Sequence, residues 1–291
     1  MRKGVGKTIQ ARQVGRHLRE QRKEAGVAVD DAAREIGVSD ATIYRFESGT
    51  SVPRPPDVRA LCAHYGADTE ITEALVALAK EADAPGWWRS YSGAVPQWFD
   101  TFVSLESAAE HIQAYDSEII QGLLQTRRYA EAMITSATSP EIGEVGVSQR
   151  VEVRLRRQRI LDRRNPARLD VILGEAALLR SPGEDIMAEQ LAHLDAVSRR
   201  PNVVIRVLPL KLLHRGLNCG GRFIMLTFPT DRRGVGEPPI VHADNLTGAA
   251  YLDKPAEVGA YRSVWQSLIG GALEPAESRT MINTYRERYE P

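Results

Sequence analysis

The chain has 291 residues, 43% hydrophobic and 26% charged, with 38 basic and 38 acidic side chains. That length fits one large or two ordinary folded domains with a real core, and the zero formal charge argues against a protein that coats nucleic acid through bulk charge. No run of about 18 apolar residues offers a membrane span, and "MRKGVGKTIQ" lacks the apolar centre of a secretory signal, so a soluble cytoplasmic protein is expected.

The charge balance is uneven locally. From Met1 to Val29 eight basic residues stand against two acids, a surplus of six positive charges. Leu18 to Ala25 reads as the end of a polar helix stopped by Gly26. "VAVDDAAREIG" reads as a second helix, with Val29, Ala32, Ala33 and Ile36 at helical spacing. Ser39 is placed to cap a third helix through its hydroxyl, Ile43 and Phe46 give that helix an inner face, and Gly49 ends it. Pro53, Pro55 and Pro56 forbid its continuation. "PDVRALCAHYGAD" resumes as a fourth helix with Val58, Leu61, Cys62 and Tyr65 on one stripe, and "ITEALVALAKEA" adds a fifth. The spacing thus predicts an all-α domain of five short helices over residues 10–80.

Residues 81–100 change in composition and include Trp87, Trp88 and Trp98. They are expected to form a connector packed on the next domain, because tryptophans in a free linker would expose much apolar surface. A larger domain over residues 101–287 follows. "TFVSLESAAEHIQAYDSEII" and "TRRYAEAMI" read as helical, and "QRVEVRLRRQRILDRR" as a basic amphipathic helix, a surface helix with Val151, Leu155 and Leu161 inward in preference to a second nucleic-acid face. "ARLDVIL", "VVIRVLPL", "RFIMLTF" and "PIVHAD" are short runs bounded by glycine and proline, the pattern of strands. "GEDIMAEQLAHLDAVS" is a helix between the first two, and "AEVGAYRSVWQSLIGGAL" closes the chain as helix. The second domain is therefore expected to be α+β.

Signals for chemistry are missing. The histidines show no HExxH spacing and no serine sits in a GxSxG elbow. "GVGEPP" is a poor dinucleotide loop, since prolines replace the helix that should follow. Cys62 and Cys219 lie far apart without a CxxC pair, which speaks for buried thiols rather than a disulfide framework or a zinc site. No cofactor, metal or enzymatic activity is expected.

The bounded third helix has another use. A helix, a glycine-containing turn and a second short helix presenting its N-terminal residues can enter the major groove of DNA, which admits one α-helix. With Ile43 and Phe46 inward, Asp40, Ala41, Tyr44 and Arg45 turn outward. At these residues the stretch "LREQRKEAGVAVDDAAREIGVSDATIYRFESGTSVPRPPDVRALCAHYG" resembles the helix-turn-helix of Xre and phage Cro/C1 (lambda-repressor-like) regulators. The resemblance implies base contacts from Asp40, Ala41 and Arg45, a phosphate contact through the backbone N–H of Val29, and an internal ion pair between Arg22 and Glu47. Ser39, Thr42, Tyr44 and Arg54 complete the expected DNA-facing set. One such module reads about a half-site, so a homodimer on a palindromic site in double-stranded DNA is expected.

"LESAAEHIQAYDSEIIQGLLQTRRYAEAMI", "RVEVRLRRQRIL", "VILGEAALLR", "QLAHL" and "NVVIRVLPL" resemble the C-terminal domain of the actinobacterial WhiJ-like, antitoxin-like regulators, with Gly174 standing where that group often has an acid. The resemblance implies a regulator that binds a small acidic partner protein encoded nearby. Trp87, Trp88, Trp98, Leu123, Leu124 and Tyr129 are the candidate partner surface, being more apolar than surface loops require. The alternative makes the second domain a small-molecule receptor or an enzyme. A regulator working by protein contact should offer an exposed apolar groove, whereas a receptor should enclose convergent polar groups.

Overall fold

The structure, a computed structural model, describes residues 9–83, 97–137, 143–211, 221–230, 237–245 and 248–290. These fall into two units. The first holds six helices, α1 (Ile9–Glu24), α2 (Val29–Glu35), α3 (Asp40–Glu47), α4 (Pro55–Tyr65), α5 (Thr69–Asp83) and α6 (Gln97–Ala108). The five expected helices are all present. α6 groups with them and packs against α1, whereas the sequence places the second domain from residue 101. Trp87 and Trp88 lie outside the described residues.

The helices of this unit are short because turn residues end them and apolar stripes hold them. Gly49 ends α3 in the left-handed region at φ 66°, and Pro55 opens α4 where its missing N–H costs nothing. Val14 and Leu18 of α1 meet Ile43 and Phe46 of α3 and Val58, Leu61 and Cys62 of α4 in one core. Each fully buried aliphatic side chain there contributes roughly 1.5–3 kcal/mol. α1 and α3 approach closely at Gly15, where an added Cβ would lie 2.2 Å from the Phe46 carbonyl oxygen. The expected hydroxyl cap at Ser39 does not form. Ser39 occupies the cap position, but its Oγ meets Thr42 Oγ1 at 3.1 Å instead of a backbone N–H.

The second unit is built on a six-stranded sheet in the order β3-β2-β1-β4-β5-β6. β1 (His111–Asp116), β2 (Arg168–Gly174) and β3 (Val203–Leu208) run parallel, while β4 (Phe223–Thr227), β5 (Ile240–Asn245) and β6 (Gly248–Leu252) continue antiparallel. α7 (Arg127–Ala137) and α8 (Gly143–Gln158) connect β1 to β2, and α9 (Ala176–Leu179) and α10 (Glu184–Val197) connect β2 to β3. α11 (Pro255–Gly271) and α12 (Pro275–Glu287) close the chain. On one face Tyr115, Ile172, Phe223, Met225 and Val241 pack against Val258, Trp265 and Leu268 of α11. The α+β expectation holds, with differences in detail. Residues 111–116 form a strand rather than helix, because pairing with β2 and β4 on both sides outweighs a local helical pattern. β6, α9 and α12 are additional.

Leu123, Leu124 and Tyr129 are not a docking surface. All three are at most 2% exposed and belong to the core. They are drawn in by the glutamines around them. Gln125 Nε2 donates to the Ile120 carbonyl at 2.6 Å, Gln158 Nε2 donates to the Gln125 carbonyl at 2.7 Å, and Gln190 Nε2 donates to the Leu124 carbonyl at 2.7 Å. These bonds satisfy the loop's main chain and let its apolar side chains turn inward.

Candidate functional site

α2, the turn through Gly37 and α3 form a helix-turn-helix whose second helix shows one face to solvent. Ile43 and Phe46 are buried at 1% and 8% exposure, which leaves Ser39, Asp40, Ala41, Tyr44 and Arg45 exposed and Thr42 half-buried. Among the described residues of this unit, Tyr44 is the most exposed large hydrophobic side chain, at 59%. Arg45 Nη2 donates to Thr42 Oγ1 at 3.2 Å, and Thr42 in turn meets Ser39, so three polar side chains run in line along α3. Such a tether limits the rotamers of a long side chain before anything binds it.

Val29 opens α2, but its side chain is half-buried and packs on the core, leaving only its main chain at the helix start. Arg54 is exposed and is held by a two-pronged bond to Asp57, Nε at 2.9 Å and Nη2 at 3.0 Å. Arg22 and Glu47 do not face solvent. Arg22 Nε and Nη2 donate to the Glu47 carboxylate at 2.6 and 3.0 Å, and Nη1 donates to the Val27 carbonyl at 2.9 Å. The Glu47 hydrogen bond, working against burial, holds the Arg22 guanidinium above its ordinary pKa. The pair therefore braces α1 against α3.

Between these helices lies an open cleft of about 380 Å³ lined by Arg19, Arg22, Tyr44, Arg45, Glu47 and Ser48. Arg19 is exposed there beside Arg45. The sequence reading missed Arg19, and the signal was available: Arg19 and Arg22 are three apart on a helix, hence neighbours on one face.

A second polar cluster lies on the sheet face opposite α11. Asp116 at the end of β1 is 5% exposed, and His242 of β5 is 3% exposed and lies against the Tyr251 ring at a tilt, with ring centroids 5.1 Å apart. Arg222 grips Asp244 through Nε at 2.8 Å and Nη2 at 2.5 Å. Burial pushes the Asp116 carboxyl up to about 7, opposed by Arg222 and Arg154 and reinforced by Asp244. Burial also drives His242 down to about 4. Spacing could not announce this cluster, since positions 116, 222 and 244 meet only through strand register and Arg154 acts on Asp116 from α8.

Most arginines around α8 have internal partners. Arg154 donates to Gln125 Oε1 at 2.6 Å, Arg163 donates to the Ala109 carbonyl at 2.8 Å, and Glu152 takes Arg127 at 2.6 Å. Among the described residues, no helix is long and apolar enough to cross a membrane and no group of three or more His, Cys, Asp or Glu is placed to hold a metal.

Two family models match the chain. One, described as a domain of unknown function (DUF5753), covers residues 99–284, and the other, a helix-turn-helix domain, covers residues 13–75. No curated protein and no solved structure matches.

Proposed function

We propose, from the premise that the chain belongs to the DUF5753 family and carries a helix-turn-helix domain ahead of that region, a cytoplasmic transcriptional regulator of the Xre, Cro/C1 type. It binds double-stranded DNA and catalyses no reaction. The observation that carries this reading is the exposed face of α3, where Asp40, Ala41, Tyr44 and Arg45 project from a short helix braced by Arg22 and Glu47. A helix of that length fits the major groove with its first turn toward base edges. In this reading Arg45 reads a base, Ser39 and Thr42 orient it, Asp40 and Ala41 select neighbouring bases, Tyr44 packs on the sugar-phosphate, and Arg54 and the Val29 N–H hold the backbone.

One module selects a genomic target poorly, so the regulator acts as a homodimer on a palindromic site. The WhiJ-like, antitoxin-like reading of the second unit adds a small acidic partner protein, whose contact surface excludes the buried Leu123, Leu124 and Tyr129. Selection of bound fragments from random DNA tests the reading. One preferred, two-fold symmetric sequence is expected, and Arg45→Ala should weaken binding to it by about 1–3 kcal/mol and relax one base position in each half. Failure to enrich any sequence, with affinity independent of salt, removes DNA from the account.

A second reading has its own support. The charged row at the end of β1, in which Asp116 is buried and Arg222 is exposed, supports reading the second unit as a small-molecule receptor that senses an effector.

A further inference from the structure

Tyr115 pairs with Phe223 and Ile224 pairs with His242. Continued by one residue, this register sets Asp116 opposite Arg222, and Arg222 opposite Asp244, on one face of three adjacent strands. Both cations near Asp116 are bound elsewhere: Arg222 to Asp244, and Arg154 to Gln125. Among the described residues no donor reaches the Asp116 carboxyl, which is 5% exposed. A carboxyl so placed is costly, and its donor must come from outside the described residues. The row opens outward, because 45% of the Arg222 side chain and 15% of the Asp244 side chain remain exposed.

The chemistry of the occupant follows from the groups that await it. Asp116 needs a donor. On the neighbouring strand, whose backbone lies about 5 Å away, Arg222 has an Nη1 edge that its bonds to Asp244 do not use. An ammonium and a carboxylate on one carbon match that polarity. A phosphate fits poorly, since it sets further negative charge against Asp116 and Asp244. We propose that this end of the sheet is a receptor site for an α-amino acid or a close zwitterionic relative, its ammonium on Asp116 and its carboxylate on Arg222. The inference rests on the receptor reading and is independent of DNA binding.

The test uses the full chain and follows melting temperature and calorimetric heat with each common α-amino acid, with methylammonium and acetate as fragments, and with inorganic phosphate. At least one amino acid should bind and raise the melting temperature where neither fragment does at equal concentration. Asp116→Asn should weaken that binding by about tenfold or more, with the circular dichroism of the unliganded protein unchanged. Arg222→Gln should do the same, unless loss of the Asp244 partner unfolds it, in which case wild-type pH dependence decides. Affinity should then fall as pH drops below about 7, because Asp116 must be ionised to take an ammonium. The ionisable and charged groups in electrostatic reach of this carboxyl or of its neighbours are Asp244 and His242 on β5, Tyr129 on α7, Arg154 and Arg157 on α8 and Arg222 before β4. No amino-acid binding to the wild type, or binding that survives Asp116→Asn, overturns the proposal. Binding of phosphate alone leaves a receptor but discards the zwitterion, and silence from every probe discards both.

Discussion

Arg45 stands on α3 with one hydrogen bond to Thr42, and Thr42 with one to Ser39. Both bonds are exposed and each contributes little to stability, yet together they narrow where the guanidinium points. Gly15 acts at the opposite extreme, through what it lacks. A methyl group there would collide with the Phe46 carbonyl, which is main chain and cannot swing away. Gly15→Ala is expected to destabilise the helical unit by about 1–3 kcal/mol, the usual cost of overpacking, despite alanine's better helix propensity. Thermal melting of the variant checks this, and an unchanged midpoint would mean that α1 and α3 can move apart. Gly174 is a related case. An added Cβ would lie 2.3 Å from the Ser117 carbonyl oxygen, so an acid at this position has no room in this chain.

Among the elements, α1 and α3 are joined by the Arg22 and Glu47 side chains, which are 10% and 6% exposed. Removing one member strands the other in a poorly solvated place, so Arg22→Ala or Glu47→Ala should each cost about 3–5 kcal/mol. The paired change Arg22→Met with Glu47→Leu leaves no stranded charge and should cost less than either single change. Chemical denaturation of the three variants decides whether the pair is a brace or a surface contact. In the second unit, Glu175 joins distant elements in the same manner. It accepts from the Tyr285 hydroxyl of α12 at 2.5 Å and from the Leu210 N–H at 2.8 Å. Residues 111–116 belong to this scale too. Their sequence, "HIQAYD", admits either a helix or a strand, and only the presence of β2 and β4 on either side makes the strand the better solution.

At the scale of the whole molecule, charge is balanced in total but not in place. If the basic start of the chain and the α3 cleft meet phosphates, the logarithm of affinity should fall linearly with the logarithm of salt, with a slope near −0.9 for each phosphate neutralised. A flat plot counts against the DNA reading. Stability should carry a second signature, from Asp116. Its pKa stands at about 7 when folded against 3.8 ordinarily, so between those values the folded chain holds a proton that the unfolded chain has released. Stability from this group is present below about 4 and lost as pH rises through about 7. His242 works in the opposite sense. Its folded pKa of about 4 lies below the ordinary 6.5, so its contribution is present above 6.5 and lost as pH falls through about 4. Comparing wild type with Asp116→Asn across this range isolates the first effect. The variant should gain on the wild type as pH rises, by a few kcal/mol at most, and parallel curves would mean that Asp116 is satisfied.

By itself, the sequence determined the helix-turn-helix unit: its capping position, inner faces and glycine stops lie within about four residues of one another, the range over which helix geometry acts. It also determined that strands follow, from short apolar runs between turn residues. Tertiary structure alone decided that Leu123, Leu124 and Tyr129 are core, that residues 111–116 are a strand, and that Asp116, Arg222 and Asp244 share one row. The physical reason is the range of the forces involved. Capping and helical spacing are local, whereas strand register joins residues more than a hundred positions apart, and burial depends on what every other element has already covered.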